Sequence, residues 1–344
     1  MSETKSRSPR LSRGGARMVD VARRAGTSTQ TVSRVLSRPE LVSEATRVLV
    51  EKAVRELNYI PNSAARLLAS TTSRIVAVII PSLSATVYAR EVDQIIRVLE
   101  PASFSVMIGH SDYSERREER LIQSFLERRP DGFILTGTQH TDLARELLKN
   151  SGVPVVETFD GDNDAMDISV GFSNYEAGRK VGDLFRSRGL TRIAYVGGRI
   201  EQDFRSNARF DGLDSRLRED GLAPVARIQL KLPMSARDGV AGLDQVLDVD
   251  PLTQAIFFSA DALAISALLE CNRRGVRVPE QMALCGFGNY DLADATMPAL
   301  TTVAVPFETI GELAATAILD RINDRVKEPR RITLPLQLLR RGSA

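Results

Sequence analysis

No stretch of the 344 residues runs to about 18 apolar positions, so no membrane-spanning helix is expected. Cysteine is nearly absent. Cys271 and Cys285 cannot build a disulfide framework, which points to a reducing, cytoplasmic setting. The only histidines, His110 and His140, lack metal-ligand spacing; His110 follows a strand end and is placed to meet a ligand, and His140 reads as a surface residue. No glycine-rich phosphate loop ending in Gly-Lys-Ser or Gly-Lys-Thr occurs, and Gly286-Phe-Gly288 is not a dinucleotide fingerprint. A Gly-x-Ser-x-Gly elbow is missing too. The stretch Asp160–Asp167 begins like a calcium loop, but Ala165 stands where glycine belongs and Gly171 where the bidentate glutamate belongs. It reads as a solvated acidic loop. No enzyme, cofactor or metal is expected.

What is present is a charge asymmetry. A composition of 43% hydrophobic and 26% charged residues excludes global disorder. The overall net charge of +2 divides into +8 over residues 1–74 and −6 over the rest. A basic head on an acidic body is the footprint of a nucleic-acid module joined to a soluble domain; a merely solvated basic tail is the alternative. Residues 1–17, rich in Ser, Gly and Arg, have no apolar segment behind them, so they read as a disordered cationic arm and not as a secretory signal.

Order within the head decides between the two. Val21, Ala22 and Ala25 share one helical face, and Gly26 can end that helix. Ser28 can cap a second helix carrying Val32, Val35 and Leu36 at i, i+3, i+4. A three-residue link between two short helices predicts a helix-turn-helix. Ser43 is expected to cap a third helix, with Leu49, Ala53 and Leu57 on one stripe and Val50 and Val54 beside it, before Pro61. On the second helix Thr29, Gln30, Thr31, Ser33 and Arg34 stay off the apolar stripe. Glutamine suits adenine, arginine suits guanine, and serine or threonine adapts to either.

The run Asp20-Val-Ala-Arg-Arg-Ala-Gly-Thr-Ser-Thr-Gln-Thr-Val-Ser-Arg-Val-Leu36 resembles the DNA-binding headpiece of the LacI/GalR family of bacterial repressors. The likeness continues through Val42–Arg47 and Glu56–Arg66 and, more loosely, to the C-terminus. It implies a headpiece over residues 18–60, a hinge helix and linker over 61–74, and a two-lobed effector-binding and dimerisation core over 75–344. By its residues alone the hinge is a short helix, Ser63–Ala69, capped by Asn62; too short to stand in water, it must pack or order on binding. The family implies that it orders in the operator's minor groove, with Asn62, Ala65 and Leu68 on the DNA and Leu68 wedged into a base step.

Over residues 75–344 apolar strand-like runs alternate with helical patterns: Ile75–Ile80, 87–100, Phe104–Gly109, 114–128, Gly132–Gly137, 141–150 and Val153–Phe159. A second series adds 175–188, Ile193–Gly198, 206–219, Ala255–Ala260, 261–274 and Ala283–Gly288. The alternation predicts an α/β fold of doubly wound parallel sheets, and the resemblance implies the periplasmic-binding-protein-like arrangement of two lobes. Ligands of such sheets bind beyond the strand carboxyl ends, so the segments after Ile80, Gly109, Gly137, Phe159, Gly198, Ala260 and Gly288 are where to search.

Arg209, three residues before Gly212, matches the family arginine that holds the effector; its guanidinium offers a fork for a carboxylate or paired hydroxyls. Ser82 and Tyr88 fall where the family contacts the ligand, and Arg199 and Arg205 are placed either to add positive potential or simply to be solvated. Gly288 stands where many sugar-binding relatives carry an aspartate, and a pocket with one carboxylate fewer and Arg209 retained suits an anion. The wording of Val155–Thr158 and Ile168–Arg179 resembles the gluconate-utilisation repressors of the family. The expected function is a homodimeric, cytoplasmic repressor of sugar-acid catabolism genes, bound to double-stranded operator DNA and released by gluconate. Ketogluconate, a phosphorylated sugar acid or a neutral sugar are alternative effectors; a solute-binding protein without DNA function is the remote one.

Overall fold

The computed structural model describes residues 16–37, 41–59, 72–201, 203–326 and 328–344. The chain divides between Ser73 and Arg74 into two compact units.

The first unit contains α1 (Met18–Ala25), α2 (Thr29–Ser37) and α3 (Glu44–Glu56). Gly26 ends α1 in the left-handed region at φ 65°, a conformation that a residue with a Cβ resists. Two residues on, the Ser28 hydroxyl accepts the Thr31 amide at 3.1 Å and starts α2. Val21, Ala22, Val32, Val35, Val50, Ala53 and Tyr59 close the core. One expected core position fails: Leu49 is 55% exposed, because the buried stripe of α3 runs through Val50 and Ala53. Arg24 donates to Glu56 at 2.6 Å and ties the first helix to the third.

The second unit holds two six-stranded sheets. In the first, β11 (Arg330–Thr333), β5 (Ile168–Gly171), β4 (Val155–Thr158), β3 (Gly132–Thr136), β1 (Ile75–Ile80) and β2 (Ser105–His110) lie side by side, all parallel. In the second, the order is β12 (Gln337–Leu339), β10 (Thr301–Ala304), β9 (Ala283–Gly288), β8 (Ala255–Phe258), β6 (Ile193–Gly198) and β7 (Ala226–Leu230), with only β12 antiparallel. Strands β3, β4, β6, β8 and β9 are buried along their whole length, as expected of parallel sheets covered on both faces.

The helices include α4 (Thr86–Leu99) after β1, α5 (Glu115–Leu126) after β2, and α6 (Asp142–Ser151) after β3. Next come α7 (Asn174–Ser187), α8 (Phe204–Arg218), α9 (Ala236–Val249) and α10 (Asp261–Arg274). The last, α11 (Phe307–Ile322), packs on α4 and so returns the chain to the first lobe, where β11 then forms the sheet edge. Helices α7 and α8 meet at glycines. A Cβ on Gly178 would lie 1.9 Å from the Arg209 carbonyl oxygen, and one on Gly212 would lie 1.9 Å from that of Tyr175. This close approach fixes the height of Arg209 over the second sheet.

Two sequence expectations need correction. His140 is buried, not at the surface: it sits between Glu118 and Glu157, with Nε2 3.1 Å from Glu157. Burial alone would strip its proton, but hydrogen bonds and charges of Glu118 and Glu157 prevail and push it up to about 9. The loop from Asp160 is not wholly solvated either. Asp160 is buried and accepts from Thr138 at 2.6 Å and from the amides of Asp162 and Asn163, while Asp162 accepts the Asn174 and Tyr175 amides that open α7. Its carboxylates organise a loop and a helix start. Cys271 and Cys285 are buried thiols, as expected.

Candidate functional site

In the first unit Thr29, Gln30 and Arg34 are exposed, with Thr31 and Ser33 half-buried beside them. These five side chains stand on α2, whose other face is spent on Val32 and Val35 in the core. The outcome is a short polar strip carried by a rigid helix. Asn62, Ala65 and Leu68, with the hinge helix expected around them, lie outside the described residues.

The second unit carries a cleft lined from the carboxyl ends of strands in both sheets. Its inner cavity, about 80 Å³, is bounded by Tyr88, Phe159, Asn174, Arg209, Phe287 and Gly288, among others. Its outer cavity, about 530 Å³, is bounded by Pro81, Ser111, Glu115, Gly137, Asp160 and Glu201, among others. Tyr113, Asp203 and Arg205 belong to both walls.

Arg209 is buried at 6% exposure and stacks on the Phe287 ring, 4.1 Å from its centroid. One terminal nitrogen donates to the Asn174 side chain and the other to the Ser259 carbonyl at 3.4 Å, whereas its Nε has no hydrogen-bond partner among the described residues. A buried donor left open is costly unless something fills it. Arg205 reaches from α8 to the first lobe. It donates to the Tyr88 hydroxyl at 3.2 Å and to the Thr136 carbonyl at 3.5 Å. Burial works against its charge, but the oxygens of Tyr88, Asp203, Tyr113 and Asp160 outweigh that and hold it protonated. Asp203 accepts the Ser206 amide at 3.0 Å and so caps the helix that carries both arginines.

Of the residues expected at the effector site, Tyr88, Arg209 and Gly288 come together around the inner cavity. Ser82, His110 and Arg199 are absent from both linings. Ser82 is buried and shares a hydrogen bond with Ser84 at 2.8 Å, His110 accepts from Arg117 at 3.1 Å, and Arg199 is exposed. The reason for glycine at 288 also changes. Its φ is 128°, and a Cβ there would lie 2.3 Å from Cε1 of Tyr290. Backbone shape therefore demands this glycine, and its lack of charge is a by-product. The nearby carboxylate of Asp261 is already occupied, accepting from the Tyr290 amide at 2.7 Å and Thr302 at 2.6 Å.

Sequence reasoning did not single out Asn174, Phe159, Phe287, Phe307 or Tyr290. The rule of strand carboxyl ends pointed to the segments of Phe159, Phe287 and Tyr290 but not to those of Asn174 and Phe307, and an aromatic residue in an apolar run reads equally as core. Phe159 is edge-on to Tyr88 at 5.6 Å and tilted against Phe307 at 6.0 Å, so these rings form both core and cavity wall.

Comparison with known proteins gives the same two-part organisation. Residues 17–62 match the bacterial regulatory proteins of the lacI family, and residues 183–344 match the periplasmic binding protein-like domain. The HTH-type transcriptional regulator GntR of Pseudomonas aeruginosa is 37% identical over 344 residues, covering 100% of both chains. GntR of Escherichia coli K12 is 34% identical over 324 residues, or 94% of this chain and 97% of that one. A LacI-family transcriptional regulator from Silicibacter pomeroyi superposes with a TM-score of 0.89 at 33% identity, covering 95% of this chain and 98% of its own. These relatives are regulators of transcription and not enzymes. An exposed polar strip on the second of two tightly linked helices, joined to a two-lobed α/β core and matched along the full length, makes this chain a DNA-binding transcriptional regulator of the LacI family.

Proposed function

We propose that the protein is a homodimeric, cytoplasmic repressor of sugar-acid catabolism genes, released from its operator when a sugar acid such as gluconate fills the cleft. Thr29, Gln30, Thr31, Ser33 and Arg34 read base edges in a pseudo-palindromic operator, one half-site per subunit. Asn62, Ala65 and Leu68 contact the minor groove, as the family resemblance implies.

The observation that carries the effector assignment is the charge of the inner cavity. Among the described residues Arg205 and Arg209 face it against one carboxylate, that of Asp203. The wall thus keeps one positive charge in excess, which favours an anion of small size. The aromatic rings supply apolar faces for a carbon chain, and Asn174 and the open Nε of Arg209 supply fixed polar contacts, the usual composition of a small-molecule site. Resemblance to gluconate-utilisation repressors supports the same class.

The test is a gel-mobility titration of DNA upstream of the neighbouring genes, with and without gluconate, paired with thermal melting. A ligand at 100-fold its dissociation constant adds about 2.7 kcal/mol to stability. Release of the DNA and a raised melting temperature with gluconate, but not with neutral sugars, are the expected results. A melting response to neutral sugars alone would overturn the sugar-acid reading.

A further inference from the structure

We propose that Arg205, and not Arg209, reads the carboxylate of the effector, while Arg209 takes a hydroxyl. This assignment rests on the sugar-acid reading given above and distributes its chemistry between two named groups.

The two arginines differ in what they have left to offer. One terminal nitrogen of Arg209 is held by the Asn174 side chain, the other reaches the Ser259 carbonyl at 3.4 Å, and the guanidinium plane is pinned on Phe287. Of its three nitrogens, only the Nε has no partner among the described residues. The open Nε suits one hydroxyl oxygen, whereas a carboxylate is best held by two parallel donors of one fork, which on Arg209 would draw on a terminal nitrogen already engaged. Arg205 is held more loosely. Its terminal nitrogens sit at 3.2 and 3.5 Å from a phenol and a backbone carbonyl, both neutral and both at the long end of hydrogen bonding. A carboxylate oxygen is a stronger acceptor than either, so exchange is favoured.

Position points the same way. The inner cavity of about 80 Å³ is well below the roughly 300 Å³ at the lower end for ligand sites, whereas the adjoining outer cavity holds about 530 Å³. A sugar acid must therefore extend from one to the other, past the wall that Tyr113, Asp203 and Arg205 share. Arg205 stands at that wall, with its guanidinium 2.7 Å from where a Cβ on Gly137 would be. Glycine at 137 leaves the room in which the guanidinium lies. Arg205 also ties the second lobe to Tyr88 and Thr136 of the first. A bound carboxylate takes over that fork, so the ligand itself becomes the link between lobes.

The experiment is calorimetry on the full-length chain with gluconate and with glucitol, which has the same carbon chain and no carboxylate. Wild type is expected to prefer gluconate. Arg205→Met should weaken gluconate by roughly tenfold to a hundredfold and leave glucitol within about threefold, erasing the preference. Arg209→Met should weaken both ligands. Arg205→Lys, which keeps the charge and loses the fork, should retain part of the preference and serves if the methionine variant does not fold. An unchanged gluconate-to-glucitol ratio in either Arg205 variant, with wild type preferring gluconate, would overturn this assignment alone. A wild-type chain that binds glucitol as tightly as gluconate would overturn it together with the sugar-acid reading.

Discussion

The headpiece and the cleft use arginine in opposite ways. Arg34 projects from α2 into water, above a core of valine and alanine side chains and one tyrosine, Tyr59. Arg209 is sealed under Phe287, held at both ends, and its position depends on two helices meeting through glycines. An exposed guanidinium keeps its hydration in the folded chain, so changing it costs the fold little. A buried one has lost its water during folding, and the surrounding dipoles must hold it. Perturbing the cleft should therefore damage stability and binding together, whereas perturbing the headpiece strip should damage DNA recognition alone.

The strongest way to break this contrast is at the glycine contact. Gly212→Val would drive Cβ into the Tyr175 carbonyl, a backbone group that cannot swing away. The expected cost is at or above the top of the usual overpacking range of about 1–3 kcal/mol, with loss of effector binding as α8 shifts. Thermal melting and calorimetry read both effects. A variant that keeps its melting temperature and its effector affinity would show that Arg209 does not depend on this contact.

Glu91 tests what burial does to a carboxyl group that is weakly supported by its neighbours. It lies fully buried on α4, and among the described residues neither carboxyl oxygen meets a partner in good hydrogen-bond geometry. Burial pushes it up to about 8, against weaker opposing pulls from Thr158 and the Arg205 charge. The native state thus holds the neutral acid, while the unfolded chain ionises from about 4.5 upward. Stability on this account is greatest below pH 4.5 and is lost as pH rises to about 8. Every tenfold difference in proton affinity between the folded and unfolded chain is worth about 1.4 kcal/mol, so Glu91→Met should gain a few kcal/mol at pH 8 and flatten that slope. His140 behaves alike at higher pH: its contribution is complete below 6.5 and lost as pH passes about 9. Chemical denaturation from pH 5 to 9 separates the two, since the methionine variant should keep only the upper decline.

Smaller effects sharpen the comparison. Arg209→Ala should weaken gluconate by about 1.5–3 kcal/mol, the usual worth of hydrogen bonds to a charged group, and lower the melting temperature because Asn174 and Ser259 lose a donor. Operator release at ordinary gluconate concentration in this variant would remove Arg209 from the site. Arg34→Ala should lower specific operator affinity by about 1–3 kcal/mol with no measurable change in melting, as expected of an exposed side chain. A drop in melting temperature there would mean that α2 relies on Arg34 for its own stability.

These contrasts follow from how local each signal is. The helix-turn-helix was legible because every part of it is decided within a few residues: Gly26 for the left-handed stop, Ser28 for the cap, Val32 and Val35 for the buried side. Leu49 was misplaced by one stripe, since a short helix with several apolar residues permits two adjacent faces and only the neighbouring helices choose. In the core, β1, β3 and β6 stood out as continuous apolar runs. The edge strand β11 did not: its sequence, Arg330-Arg-Ile-Thr333, is largely polar, and only pairing with β5 makes it a strand.

By itself, then, the sequence determined the helix-turn-helix, the alternation that gives two parallel sheets, and the family arginine at 209. The tertiary structure decided which charges matter. His140 is held between two carboxylates drawn from α5 and β4, and Arg205 spans the lobes to meet Tyr88 and Thr136. Gly288 owes its identity to the Tyr290 ring behind it. Periodicity reports only whether a side chain faces inward. The state of a charge depends on partners far along the chain, whose distances are set when the elements pack.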